Sequence, residues 1–106
     1  MSVEIEASEL KRALDAGEEL VIVDVREGWE HALAHLPDAV HIPLGELGKR
    51  HSELNPERAH VLYCHHGVRS MRAAMALAQQ GFANVRSLRG GIDRWSLEID
   101  PSIPRY

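Results

Sequence analysis

Val61-Leu62-Tyr63-Cys64-His65-His66-Gly67-Val68-Arg69-Ser70-Met71-Arg72-Ala73-Ala74 runs an apolar strand pattern into a helical one, with the only cysteine of the chain at the junction. A strand–loop–helix turn of this kind aims several backbone N–H groups and the positive end of a helix dipole at one point. A thiol placed there is favoured as thiolate, and anionic adducts on it are stabilised in the same cradle. The stretch therefore reads as an anion-binding nucleophile site at the carboxyl end of a strand, where open α/β sheets bind their ligands.

The pattern on either side supports a parallel α/β sheet, because short apolar strands alternate with helical segments. Leu20–Val25 has the continuous hydrophobicity of a strand buried on both faces. Ala39–Ile42, His60–Tyr63 and Val85–Leu88 are shorter candidates, and Val3–Ile5 adds a possible edge. Helices are expected over Ser8–Ala16, Glu27–Ala34, Leu44–Arg50 and Ser70–Gln80, the last with Met71, Ala74, Met75 and Ala78 as its core stripe and Gly81 at its end. The proline-interrupted segment 100–106 is expected to be extended, with folding back on the domain and mediating contacts both open to it.

Bulk properties narrow the class. A chain of 106 residues makes one domain, here spanning 1–106 with 100–106 as a tail. The net charge of −4 gives no electrostatic reason to expect nucleic acid or an anionic membrane as a partner. One cysteine forms no internal disulfide, and without a secretory or transmembrane-length apolar run the expected setting is cytoplasmic.

Three motifs in order then carry a resemblance. Val23-Asp24-Val25-Arg26-Glu27, followed by Glu30 and Ala34-His35-Leu36-Pro37-Asp38-Ala39, is similar to the first motif of single-domain rhodaneses, the thiosulfate and persulfide sulfurtransferases, with Ala34 standing where that family usually has glycine. Tyr63-Cys64 through Ser70 resembles their active-site loop, and Leu88-Arg89-Gly90-Gly91-Ile92-Asp93-Arg94-Trp95 their closing motif. The resemblance implies a central, mostly parallel sheet of about five strands with helices on both faces. It also separates two chemistries by loop length. Four residues lie between Cys64 and Arg69, as in the sulfurtransferases, whereas phosphatases of related fold carry one more.

What the resemblance implies for mechanism is covalent sulfur transfer. A donor such as thiosulfate would lie against the loop amides and Arg69, and Cys64 would take its outer sulfur as a persulfide. A thiol, or cyanide in vitro, would then remove that sulfur. His65, His66, Gly67, Val68, Arg69 and Ser70 are the expected donor-binding residues, with Asp24, Arg26 and His35 supporting the site. No cofactor and no metal are expected, although His31 and His35 have a helical ligand spacing. His65 and His66 replace the arginine or lysine that many thiosulfate-using relatives carry, so thiosulfate turnover is expected to be weak or favoured by acid. Glu27 reads as surface, Trp95 as core or pocket wall. A sulfur-relay module serving a partner enzyme is the main alternative function, with a phosphatase or arsenate reductase on the same fold disfavoured by loop length.

Overall fold

The computed structural model describes residues 3–106; residues 1 and 2 of the expected domain span lie outside the described residues. Five strands form one sheet in the order β1-β5-β4-β2-β3, comprising β1 (Glu4–Ile5), β2 (Leu20–Asp24), β3 (Val40–His41), β4 (Ala59–Tyr63) and β5 (Val85–Leu88). Every pairing is parallel, so the sheet goes beyond the mostly parallel expectation. All five expected strands are present, the two edge strands being shorter than their apolar runs.

The central strands carry apolar residues on consecutive positions because they serve two cores. Alternate side chains point to opposite faces. Val23 and Leu62 enter the core beneath α3 (Leu47–Arg50) and α4 (Val68–Gln79), where Ala73, Ala74 and Leu77 pack. Ile22, Val61 and Tyr63 enter the other, shared with Leu10 of α1 (Ala7–Asp15) and with Ile92 and Trp95 of α5 (Gly91–Glu98). Each such aliphatic side chain contributes about 1.5–3 kcal/mol by leaving water, and the two cores together fix the sheet between helical layers.

Three expectations are corrected. The buried face of α4 is Ser70, Ala73, Ala74 and Leu77, while Met75 is 55% exposed. Small side chains let the helix lie close to the sheet, and a face centred on the methionines would hold it off. The segment 100–106 is not extended along the surface: it turns back on the domain, with Ile103 buried and its carbonyl accepting a hydrogen bond from Ser96 Oγ at 2.6 Å. The segment after β3 is a 3-10 turn, the four-residue α3 and a second 3-10 turn instead of one helix.

Topology places the site. From β2 the chain moves outward to β3, then returns across to β4 and continues the other way to β5. The crevice at this reversal opens between the carboxyl ends of β2 and β4. Asp24 and Tyr63 are register partners there, with Arg26 and Cys64 just beyond. Among the described residues no helix is long and apolar enough to cross a membrane.

Candidate active site

Cys64 follows β4 directly, and the loop folds around its sulfur. Gly67 N–H donates to Sγ at 3.0 Å and Ser70 N–H at 3.4 Å, while the thiol is 3.5 Å from Ser70 Oγ. Donors aimed at one atom stabilise negative charge on it. Gly67 can turn its amide inward because it is left-handed, with φ +109°, a conformation costly for a residue with a Cβ. Ser70 is fixed in turn, its hydroxyl 2.7 Å from Ser87 Oγ on β5 and donating to the Gly67 carbonyl at 3.3 Å. Residue Cys64 is only 1% exposed, so its sulfur sits at the bottom of the loop.

The closing motif braces the same loop from below. At the start of α5, Ile92 N–H donates to the Cys64 carbonyl at 2.9 Å and Asp93 N–H to the His65 carbonyl at 3.2 Å. These are helix N-terminal amides that lack intrahelical partners. Gly91 makes the approach possible, since a Cβ there would lie 2.4 Å from both carbonyl oxygens. The Gly90-Gly91 pair is thus a turn that lets a helix end dock on the Cys64 loop.

Asp24 and Arg26 form a buried pair that reaches neighbouring segments. Both side chains are fully buried, with Arg26 Nη2 2.7 Å from Asp24 Oδ2 and Nε 2.9 Å from Oδ1. Arg26 also donates to the Ala34 carbonyl at 2.5 Å, and Tyr63 OH donates to Asp24 at 3.0 Å. Burial alone would raise the Asp24 pKa, but the hydrogen bonds from Arg26 and His31 overcome it and hold the carboxyl below its usual range. Burial likewise opposes the Arg26 charge, and the Asp24 bonds overcome that and raise its pKa. Ala34 lies in extended backbone at φ −168°, so its Cβ is accommodated without strain.

His31, His35 and His41 form a column of stacked rings, at 4.2 Å and 4.5 Å between centroids. His31 Nδ1 meets Asp24 Oδ2 at 2.8 Å, and His35 Nδ1 meets the His31 carbonyl at 3.0 Å. His35 therefore backs the ring that contacts Asp24. The helix here ends at Leu33, so the two histidines do not share one helical face as metal ligands would.

The rim of the loop carries charges that are already paired. Arg69 makes a two-pronged ion pair with Glu30, at 2.7 and 2.9 Å. The expectation that Arg69 faces an anionic donor meets an internal carboxylate instead. That bond, with a further one from Tyr106, brings the Glu30 pKa down to about 2 against some cost of burial. Glu27 is exposed as expected and also caps α2 (Gly28–Leu33), its N–H donating to Glu30 Oε1 at 3.0 Å. Val68 is 71% exposed, its side chain turned to solvent.

Tyr106 was not foreseen. Its ring stacks on His65 at 3.9 Å, and its hydroxyl donates to Glu30 Oε2 at 2.6 Å while accepting from Arg26 Nη1 at 2.9 Å. Burial, then the bond to Glu30, pushes its pKa up to about 12. His65 is also stacked on His66, at 3.9 Å, and burial followed by the neighbouring His66 lowers its pKa. No sequence pattern announces Tyr106; a tyrosine distant in sequence reaches the site only because Ile103 anchors the returning segment. Glu30 had a signal in the Glu27-x-x-Glu30 capping spacing.

His65, His66 and Asp93 bring one ligand atom each within 4.8 Å of one another. Asp93 is held by Arg105 at 2.9 and 3.3 Å, so a guanidinium already occupies the carboxylate a metal would need. Trp95 is core, in the cluster on the opposite face of the sheet from the cluster that holds Cys64.

Comparison with known proteins agrees with this arrangement. The Rhodanese-like domain family matches residues 6–98. YrkF of Bacillus subtilis, named as a candidate sulfur carrier protein, is 43% identical over 93 residues, covering 88% of this chain and half of that protein. A sulfurtransferase of Allochromatium vinosum is 39% identical over 93 residues, covering 88% of this chain and 87% of its own length. A crystal structure of a rhodanese-related protein from Thermoplasma volcanium superimposes with a TM-score of 0.82 at 30% identity, over 91% of this chain and 92% of that one.

Proposed function

Because the chain belongs to the rhodanese-like family, whose relatives include named sulfurtransferases, we propose that it moves sulfane sulfur from thiosulfate or a persulfide donor to a thiol acceptor, through a persulfide on Cys64. The observation that carries this reading is the pair of backbone N–H groups converging on Cys64 Sγ at the carboxyl end of β4. They are placed to stabilise negative charge on the sulfur, and Cys64 as thiolate attacks the outer sulfur of the donor. The bond between the two donor sulfurs breaks, and sulfite or the donor thiolate departs with the electron pair. The terminal sulfur on Cys64 then carries negative charge, and the amides of residues 65–69 are the groups available to stabilise it. An acceptor thiolate, or cyanide in vitro, attacks that sulfur and regenerates Cys64.

No cofactor enters this cycle, and with one cysteine in the chain the acceptor is external. Ser70 positions the sulfur through its amide, while Asp24, Arg26 and His35 hold the surrounding loops.

A relay role has its own support. Cys64 is 1% exposed, so a partner protein has to meet the loop closely to collect sulfur, and the similar YrkF is named for sulfur carriage. In that version the acceptor is a protein thiol and free turnover is slow.

The test is transfer to cyanide from thiosulfate and from cysteine persulfide by wild type and Cys64→Ser, with an aryl phosphate as control. Transfer that disappears in Cys64→Ser while the unfolding midpoint holds supports the reading. Surviving transfer, or phosphate hydrolysis that depends on Cys64, would contradict it.

A further inference from the structure

Every oxygen of Glu30 is committed. Oε1 accepts from Arg69 Nη1 at 2.7 Å and Glu27 N–H at 3.0 Å; Oε2 accepts from Arg69 Nη2 at 2.9 Å and Tyr106 OH at 2.6 Å. Its side chain is 4% exposed, and the phenol that fixes it is itself held by buried Arg26. Across the loop, Asp93 takes Arg105 in the same two-pronged way and lies 3.7 Å from His66. Arg69 and Arg105, beside the nucleophile loop, are each matched by a carboxylate.

An anionic donor can use Arg69 only by drawing it off Glu30. That leaves a nearly buried carboxylate without its cation, which is far costlier than releasing an exposed one. It also exposes the incoming anion to that carboxylate's own charge. The cost falls on a donor that needs a guanidinium for its sulfonate. A persulfide presents a reacting sulfur with at most one negative charge and makes no such demand. Burial lowers the pKa of His65, so its ring adds little positive charge at neutral pH to offset this.

We propose that Glu30 is a donor-selecting residue: by holding Arg69 in an internal ion pair, it turns the site away from dianionic thiosulfate and towards persulfides of small or protein thiols. The assignment rests on the sulfurtransferase reading and narrows its donor. Glu30 acts here on binding and touches no reacting atom. Because its pKa is held near 2, the bias persists across the working pH range and is separate from any effect of imidazole charge.

The experiment compares kcat/KM for thiosulfate and for cysteine persulfide, with cyanide as acceptor, in wild type, Glu30→Gln and Glu30→Asp. Wild type favours the persulfide. Glu30→Gln frees Arg69, raising thiosulfate kcat/KM about tenfold, mainly through KM, which equals about 1.4 kcal/mol. Persulfide use moves by less than about threefold, and Glu30→Asp, which keeps the charge, stays within about twofold of the wild-type donor ratio. A folded Glu30→Gln with an unchanged donor ratio, or with both donors falling together, overturns the proposal. Should Glu30→Gln fail to fold, the wild type still decides: added potassium chloride screens repulsion and raises the thiosulfate-to-persulfide ratio, whereas a falling ratio means Arg69 attracts the dianion. Failure of both donors to place sulfur on wild-type Cys64 is a different result, which sinks the sulfurtransferase reading itself.

Discussion

At the scale of single residues, the site depends on buried charges that are fully matched. Arg26 is the hub, bonded to Asp24, to the Ala34 carbonyl and to Tyr106. Arg26→Met fills similar space but leaves the Asp24 carboxylate buried without its cation. The expected loss is about 3–5 kcal/mol in unfolding free energy, read from urea denaturation; a loss below about 1 kcal/mol would show that water or His31 replaces the guanidinium. Much of this was legible in advance. Asp24, Arg26 and His35 sit in one recognisable motif, and Cys64 is the only thiol. Tyr106 and the Glu30–Arg69 pair were not, because each joins residues 76 or 39 positions apart, and no local periodicity records such a contact.

Elements were legible where periodicity and burial coincide. β2 reads as apolar on consecutive positions because consecutive side chains enter different cores. α4 was placed correctly but rotated: Met71 and Met75 look like a core stripe, yet alanines and Ser70 face the sheet. Hydrophobicity alone does not say that a helix must approach closely enough for its first turn to reach Cys64. The start of α5 illustrates the same constraint. Gly91→Ala would drive a Cβ to 2.4 Å from the Cys64 and His65 carbonyl oxygens at a residue with φ +61°. Relief requires α5 or the loop to move, so Gly91→Ala should lose about 2–4 kcal/mol of stability and most sulfur transfer. Thermal unfolding and turnover check this together. Near wild-type values in both would mean the helix end can slide without disturbing the Cys64 loop.

For the molecule as a whole, pH separates stability from chemistry. His60 lies fully buried in β4, edge-on to Phe82 at 5.2 Å, with Nδ1 2.9 Å from the Arg58 carbonyl and Nε2 without a hydrogen-bond partner among the described residues. Burial lowers its pKa. A histidine depressed in the folded state takes up protons more readily when unfolded, so its contribution is intact above the unfolded value of about 6.5 and is lost as pH falls below it. Urea unfolding at pH 7, 6 and 5 should show stability declining, and His60→Leu should flatten that decline while changing neutral stability by about 1 kcal/mol or less. An identical slope in the variant would remove His60 from the account. Glu30 acts in a different window, its contribution being held above about 4.5 and lost as pH falls towards 2. The central claim is the sulfur carried on Cys64, and intact-protein mass after brief exposure to thiosulfate or cysteine persulfide tests it most directly. The account predicts a gain of one sulfur that cyanide reverses and that Cys64→Ser lacks, with the persulfide loading faster. No gain from either donor, or a gain that survives in Cys64→Ser, would contradict it.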